Sequence, residues 1–283
     1  MEIKQNPFSP YDFLGYLIPG LTFNYGIIFT YYNYNLYTFY TEISKYEKIS
    51  ISIPFIIISY IAGHLLSFVS SLTIEKYALW RYGYPSKFLL AKDDPPIHPK
   101  YFTENIYTLN TLLKILLPLI LLPILIFDYI SIKVNRNYWN NTKLDALSKQ
   151  LIMAKAKKIY SSMLKGEGIN LRKIQAEKSV DWFTILHHYT FERSKAHNPK
   201  FQHYVALYGF SRCVSLLFVV FFWTNIYSFV DQGFPFKNIY WLKTSILFLL
   251  PYLFFLSFLK FYKRYSKETL MAMTVLSSEE GKN

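Results

Sequence analysis

Apolar residues in this chain gather into runs about as long as a bilayer is thick, and charge gathers between them. A hydrocarbon core of about 30 Å takes about 20 apolar residues in a helix. Every backbone polar group inside that core needs a partner within the fold, so such runs predict helices. Five runs stand out: residues 11–32, 51–74, 111–132, 205–230 and 241–261. The first follows Ser9-Pro10 and contains Asp12, which suit a helix start, and its Gly15, Pro19 and Gly20 predict a kink. Pro54 falls in the first turn of the second run. Asp231-Gln232-Gly233-Phe234-Pro235 separates the last two and reads as the turn of a helical hairpin. The residues from Met1 to Pro7 lack a basic segment and a small-residue cleavage site, so the first run is expected to be retained rather than cleaved as a signal peptide.

The segments between the runs set the expected topology. Residues 133–204 carry 14 Lys/Arg against 5 Asp/Glu, and residues 75–110 carry 5 Lys/Arg. The stretch after Lys260 adds Lys263, Arg264, Lys267 and Lys282. Positive charge favours the cytoplasmic side, so all three are expected there. Residues 33–50 and 231–240 are nearly neutral and fit the outside. Five full crossings would put one of the two basic segments outside. The third run also contains Lys114, Pro118, Pro123 and Asp128, and two prolines five residues apart interrupt a straight helix. The preferred reading is therefore all-α with four crossings, 111–132 being re-entrant, interfacial or packed in the soluble part; five crossings is the alternative. The expected boundaries are two transmembrane helices in 1–74, a basic helical cytoplasmic domain over 75–204, two further transmembrane helices in 205–262, and a cytoplasmic tail over 263–283. Both termini then lie in the cytoplasm, with the protein in the cell inner membrane.

Within 133–204 the pattern is helical. Leu144, Leu147 and Leu151 share one stripe, with Ile152, Ala156, Ile159 and Met163 beside it, and Lys149, Lys155, Lys157, Lys158 and Lys165 take the remaining surface, which leaves both stripes for the interior. Gly166-Glu167-Gly168 should end that helix. A second, over 176–194, should turn Trp182, Ile185, Leu186 and Tyr189 inward, and Asn198-Pro199 should stop it. Only the last ten residues look disordered.

Composition matters for chemistry. The single cysteine, Cys213, excludes a disulfide framework and a cysteine-based metal site. There is no His-Glu-x-x-His, no phosphate-binding glycine loop and no nucleophile elbow. His187, His188 and His197 fall in one stretch, but helical geometry does not gather all three round an ion. No catalytic residue, metal or cofactor is expected, and the chain does not read as an enzyme.

Polar groups inside apolar runs carry more information, because burying them in lipid is costly. His64 lies mid-run and reads either as a pore or gating residue or as a hydrogen-bond partner of a neighbouring helix. Arg212 lies about two turns into its run. It reads as snorkelling, as pairing with an acid, or as the point that couples a soluble domain to helix movement. The net charge of +13 and the basic stretch Lys149, Lys155, Lys157, Lys158, Lys165, Arg172 and Lys173 admit two partners: anionic lipid headgroups, or the phosphates of a nucleotide or oligonucleotide. Symmetric copies would reinforce the second.

The stretches Tyr11-Asp12-Phe13-Leu14-Gly15-Tyr16-Leu17-Ile18-Pro19-Gly20 and Tyr60-Ile61-Ala62-Gly63-His64-Leu65-Leu66-Ser67, with Glu75, Gly83-Tyr84-Pro85 and Arg212, resemble small prokaryotic membrane proteins of phage defence. The layout is similar to the transmembrane effector of Hailong-type systems. That resemblance implies a homo-oligomeric channel controlled by an oligonucleotide from a partner nucleotidyltransferase. It carries over no ligand-binding residue. A non-catalytic membrane anchor or scaffold for a partner complex is the alternative reading.

Overall fold

The computed structural model describes residues 12–31, 36–44, 49–90, 116–134, 144–166, 182–194, 197–231, 233 and 238–276. Among them there is no strand. The helices are α1 (Ile18–Tyr31), α2 (Leu36–Ser44), α3 (Ile49–Ser70), α4 (Lys76–Tyr82), α5 (Pro85–Leu90), α6 (Leu122–Val134), α7 (Ala146–Gly166), α8 (Trp182–Arg193), α9 (Asn198–Asp231) and α10 (Asn238–Leu276). A π turn, Phe13–Leu17, leads into α1, and a second, Ser71–Glu75, joins α3 to α4. Among the described residues four stretches are long and apolar enough to cross a membrane: Phe13–Tyr31, Ser52–Tyr82, Asn198–Asp231 and Tyr240–Leu276. The chain is an all-α, multi-pass membrane protein by that measure.

Among its described residues the third apolar run is helical on both sides of a turn at Leu121. Residues 116–120 are helical, Leu121 is a turn, and α6 follows with 13 residues. Pro123 has no N–H to donate back to residue 119, so the break falls just ahead of it. At 1.5 Å per residue α6 spans about 20 Å, less than a bilayer core. Lys114 lies outside the described residues.

By their contacts the residues form two compact units. The first comprises Met1–Tyr82, His98–Arg136 and Val205–Phe261; the second comprises Gly83–Ile97, Asn137–Tyr204 and Tyr262–Asn283. These cut the chain differently from the sequence-drawn boundaries, since the segment around α6 groups with the long apolar helices.

In the first unit α1 and α3 meet backbone to backbone. A Cβ on Gly20 would lie 1.7 Å from the Ser59 carbonyl oxygen, and one on Gly63 1.9 Å from that of Tyr16. Ser59 and Gly63, four apart on α3, form the small-residue face that such proximity needs. The Asn24 amide donates to Ser59 Oγ at 2.9 Å across the same contact. Pro19 causes no break here. Residues 12–31 are helical throughout, and Pro19 directly follows the π turn, a register shift at which a proline's missing N–H is accommodated.

Helices α9 and α10 instead meet through rings. Phe218 stacks on Phe254 with centroids 5.5 Å apart, and Phe222 meets Phe248 at 5.4 Å. Both helices outrun the apolar stretches seen in the sequence, because charged residues do not end a helix. Gly233, at φ +68°, closes the turn after α9 by donating its N–H to the Val230 carbonyl. The rest of that hairpin turn lies outside the described residues.

The second unit is built on Ile152, Ala156 and Ile159 of α7, which are buried with Leu89, Leu144, Leu186, Leu270 and Met273. Asp145 caps α7, accepting the Ser148 N–H at 2.8 Å, and those hydrogen bonds from Ser148 hold its carboxyl below the usual range. Two expected inward residues point out: Leu147 is 75% exposed and Leu151 48%. Within α7 the Ile152 stripe is core-facing, and Leu144, ahead of the helix, is buried with it; Leu147 and Leu151 lie on a different side of a 3.6-residue helix. On α8 Leu186 is buried as expected, whereas Ile185 is exposed. Residues 176–181, 167–170 and the final seven lie outside the described set.

Candidate functional site

Among the described residues of the first unit, two clusters gather charged side chains. At the first, α9 presents Arg212 to the end of α3. Its guanidinium is ion-paired with Glu75, the last residue of the second π turn. Arg212 Nε donates to Ser70 Oγ at 3.0 Å, and Nη2 lies 3.3 Å from both the carbonyl and the hydroxyl of Ser67. Beside it the buried Cys213 thiol approaches Ser70 Oγ at 3.6 Å and the Gly15 carbonyl at 3.9 Å. A π turn admits one extra residue and rotates whatever follows it. Here that turn ends on the carboxylate that meets Arg212. Of the three sequence readings of Arg212, the geometry realises pairing with an acid; the acid comes from the end of a spanning helix.

The second place centres on Asp128 of α6, 2% exposed. The Tyr77 hydroxyl donates to its Oδ2 at 2.8 Å, the Tyr82 hydroxyl donates to Oδ1, and Arg81 Nε lies 3.4 Å from Oδ2. All three partners come from α4. A buried carboxylate needs a cation and donors together, and this one has both. The sequence shows Asp128 as an oddity in an apolar run; spacing alone does not reveal that Tyr77, Arg81 and Tyr82, one to five residues apart on a helix, would close round it.

His64 lies on α3 between the apolar positions Ile61, Leu65 and Phe68, and like them is exposed. Its ring stacks on Tyr16 at 3.9 Å and meets Tyr60 edge-on at 4.6 Å. The two sequence segments that carry the resemblance are therefore the two that pack against each other.

Of the basic stretch, Lys149, Lys155, Lys157, Lys158 and Lys165 belong to α7, while Arg172 and Lys173 lie outside the described residues. Lys157 and Lys158 are exposed; Lys149 and Lys155 are half-buried. At 100° per residue Lys155 and Lys157 lie on either side of Lys158, and Lys149 lies opposite it, so the four do not form one line. In the same unit His187 is hydrogen-bonded to the Tyr265 hydroxyl, with Phe191 alongside at 6.2 Å. Burial, and then the neighbouring His188, push its pKa below the ordinary histidine value. Glu268 holds Lys200 and lies 3.5 Å from His197. Among the described residues no three His, Cys, Asp or Glu side chains gather where they could hold a metal ion.

Comparison with protein-family models, with curated proteins and with solved structures finds no match.

Proposed function

We propose that copies of this chain assemble in a membrane into an effector that conducts ions, with the span Ser52–Tyr82 at the contact between copies or along the pore. The observation that carries this reading is the exposed imidazole of His64. It lies 12 residues into that span, about 18 Å along a helix, and so near the middle of the hydrocarbon. A titratable ring facing acyl chains there is costly, and a second copy or a water-filled path removes that cost. The Arg212–Glu75 pair fits the role of a coupling point, because it ties α9 to the turn between α3 and α4.

On this reading the effector answers an anionic signal, a nucleotide or oligonucleotide supplied by a partner nucleotidyltransferase, held by the basic stretch 149–173. The net charge of +13 supports an anionic partner, and the resemblance to Hailong-type phage-defence effectors supports its chemical class. On this reading both termini lie in the cytoplasm and a cell inner membrane holds the protein, a topology that the basic segments support.

The test is ion flux through liposomes carrying the purified protein, with and without short oligonucleotides. Flux that changes with oligonucleotide, weakens steeply with added salt and is altered in His64→Leu is the expected result. Silence from folded, oligomeric protein under every condition overturns the channel and leaves the membrane anchor or scaffold.

A further inference from the structure

The side of α7 opposite its core is neither polar nor empty. Counting 100° per residue from Leu147, that residue stands at 0°, Leu151 at 40°, Ala154 at 340° and Lys158 at 20°, all exposed. Lys157 is exposed on one flank of this line, and Lys155, half-buried, lies on the other. The opposite side, Ile152, Ala156 and Ile159, is committed to the core with Leu270 and Met273 of α10. The helix thus carries a short apolar line, bordered by Gln150, Ser161 and Ser162, away from its core-facing side, and among the described residues of the second unit only the core-facing side is packed. An exposed leucine is ordinary on a protein surface. Two of them in line, one three-quarters exposed, with lysines at the end of the line and along its flanks, form the pattern of a helix lying in a bilayer interface. There the leucines enter the acyl boundary while lysine stems run outward to the phosphates.

We infer that the Leu147–Leu151–Lys158 face of α7 docks on an anionic bilayer surface. Two observations choose lipid over a second copy of the chain. The lysines would face the same lysines across a symmetric contact and repel, whereas anionic headgroups are complementary to them. The chain also carries, among its described residues, four stretches long and apolar enough to cross a membrane, so a bilayer is the surface at hand. This stands apart from the channel reading, since docking and conduction are measured separately. It narrows the signal site of that reading by giving Lys157 and Lys158 to lipid.

The experiment uses full-length protein reconstituted in vesicles, with Leu147→Cys carrying an environment-sensitive dye; Cys213 is buried and is left in place. In vesicles of phosphatidylcholine and phosphatidylglycerol the dye should emit to the blue and be quenched by lipids bearing a shallow spin label. Each lysine removed, as Lys157→Gln or Lys158→Gln, should weaken docking about fivefold, as should high salt. Both positions are exposed, so these variants leave the core intact. Pure phosphatidylcholine should give a smaller shift, and added oligonucleotide should leave the anionic-vesicle signal in place. Water-like emission in anionic vesicles overturns the inference. A blue shift that is the same without anionic lipid and in both lysine variants overturns it in favour of protein cover. Loss of the shift on adding oligonucleotide overturns it in favour of a soluble polyanion.

Discussion

Helices α1 and α3 are held by backbone, and helices α9 and α10 by rings. At the first contact Gly20 faces the Ser59 carbonyl and Gly63 faces that of Tyr16, with no side chain between them. At the second, Phe218, Phe222, Phe248 and Phe254 interleave at centroid separations of 5.4 to 5.5 Å, assisted by Ser211 with Ser257 at 3.0 Å and by Asn225, which donates to Thr244 at 2.8 Å. Lipid tails are as apolar as phenylalanine, so neither pair gains from leaving water; both gain from close fit. The two fits fail differently. A ring that is trimmed leaves neighbours that can settle, whereas a backbone held against a backbone has nothing to move.

The largest expected effect therefore comes from Gly63→Leu. Its Cβ would meet the Tyr16 carbonyl, so α1 and α3 must part, at a cost of about 3 kcal/mol, the upper end for overpacking. Unfolding in mixed micelles should show it, and a change as mild as that of a ring variant would erase the contrast. Arg212→Ala comes next. It strands Glu75 where the two pairs are tied together, and with Glu75 a quarter exposed the loss should be about 2 kcal/mol rather than the full cost of a buried charge. A cycle with Glu75→Ala should recover part of that loss; strictly additive losses would mean the pair does not join α3 to α9. Phe254→Leu should cost about 1 kcal/mol, with α1 and α3 unaffected by hydrogen exchange. The smallest effect is one of pH, in the second unit. His187 is held neutral by burial and by His188, so its contribution is complete above its ordinary value of 6.5 and is lost as pH falls below that, through its lowered folded value. Exchange in α8 should quicken on acidification and cease to do so in His187→Phe. Protection of the glycine-packed and ring-packed pairs should not follow His187.

Much of this arrangement is legible in the sequence, and the illegible part has a common cause. Run length found the four long helices and set the third run apart, because bilayer thickness and proline chemistry act locally. Periodicity found the Ile152 stripe but assigned Leu147 and Leu151 to the interior as well, since a leucine facing lipid or another surface reads the same as one facing a core. Arg212 and Asp128 were visible as charges in apolar runs. Their partners were not, because Glu75 lies 137 residues from Arg212 and Tyr77 lies 51 from Asp128. Likewise Gly20 and Gly63 announce permissive backbone, and only the fold shows that they use it on each other.

The break at Leu121 bears on how such a chain is made. The Trp223 indole N–H donates to the Ile120 carbonyl at 2.8 Å, 103 residues further along. Asp128, by contrast, meets Tyr77 and Tyr82, already synthesised. At about 5 to 20 residues per second, the ribosome delivers Trp223 roughly 5 to 20 seconds after Ile120. During that interval α6 can be latched at its Asp128 end while the broken turn still lacks its indole. An insertion machine that released the nascent chain to lipid too early would leave that carbonyl facing hydrocarbon. The order of synthesis thus sets a waiting time, and a translational pause between the two residues would lengthen it.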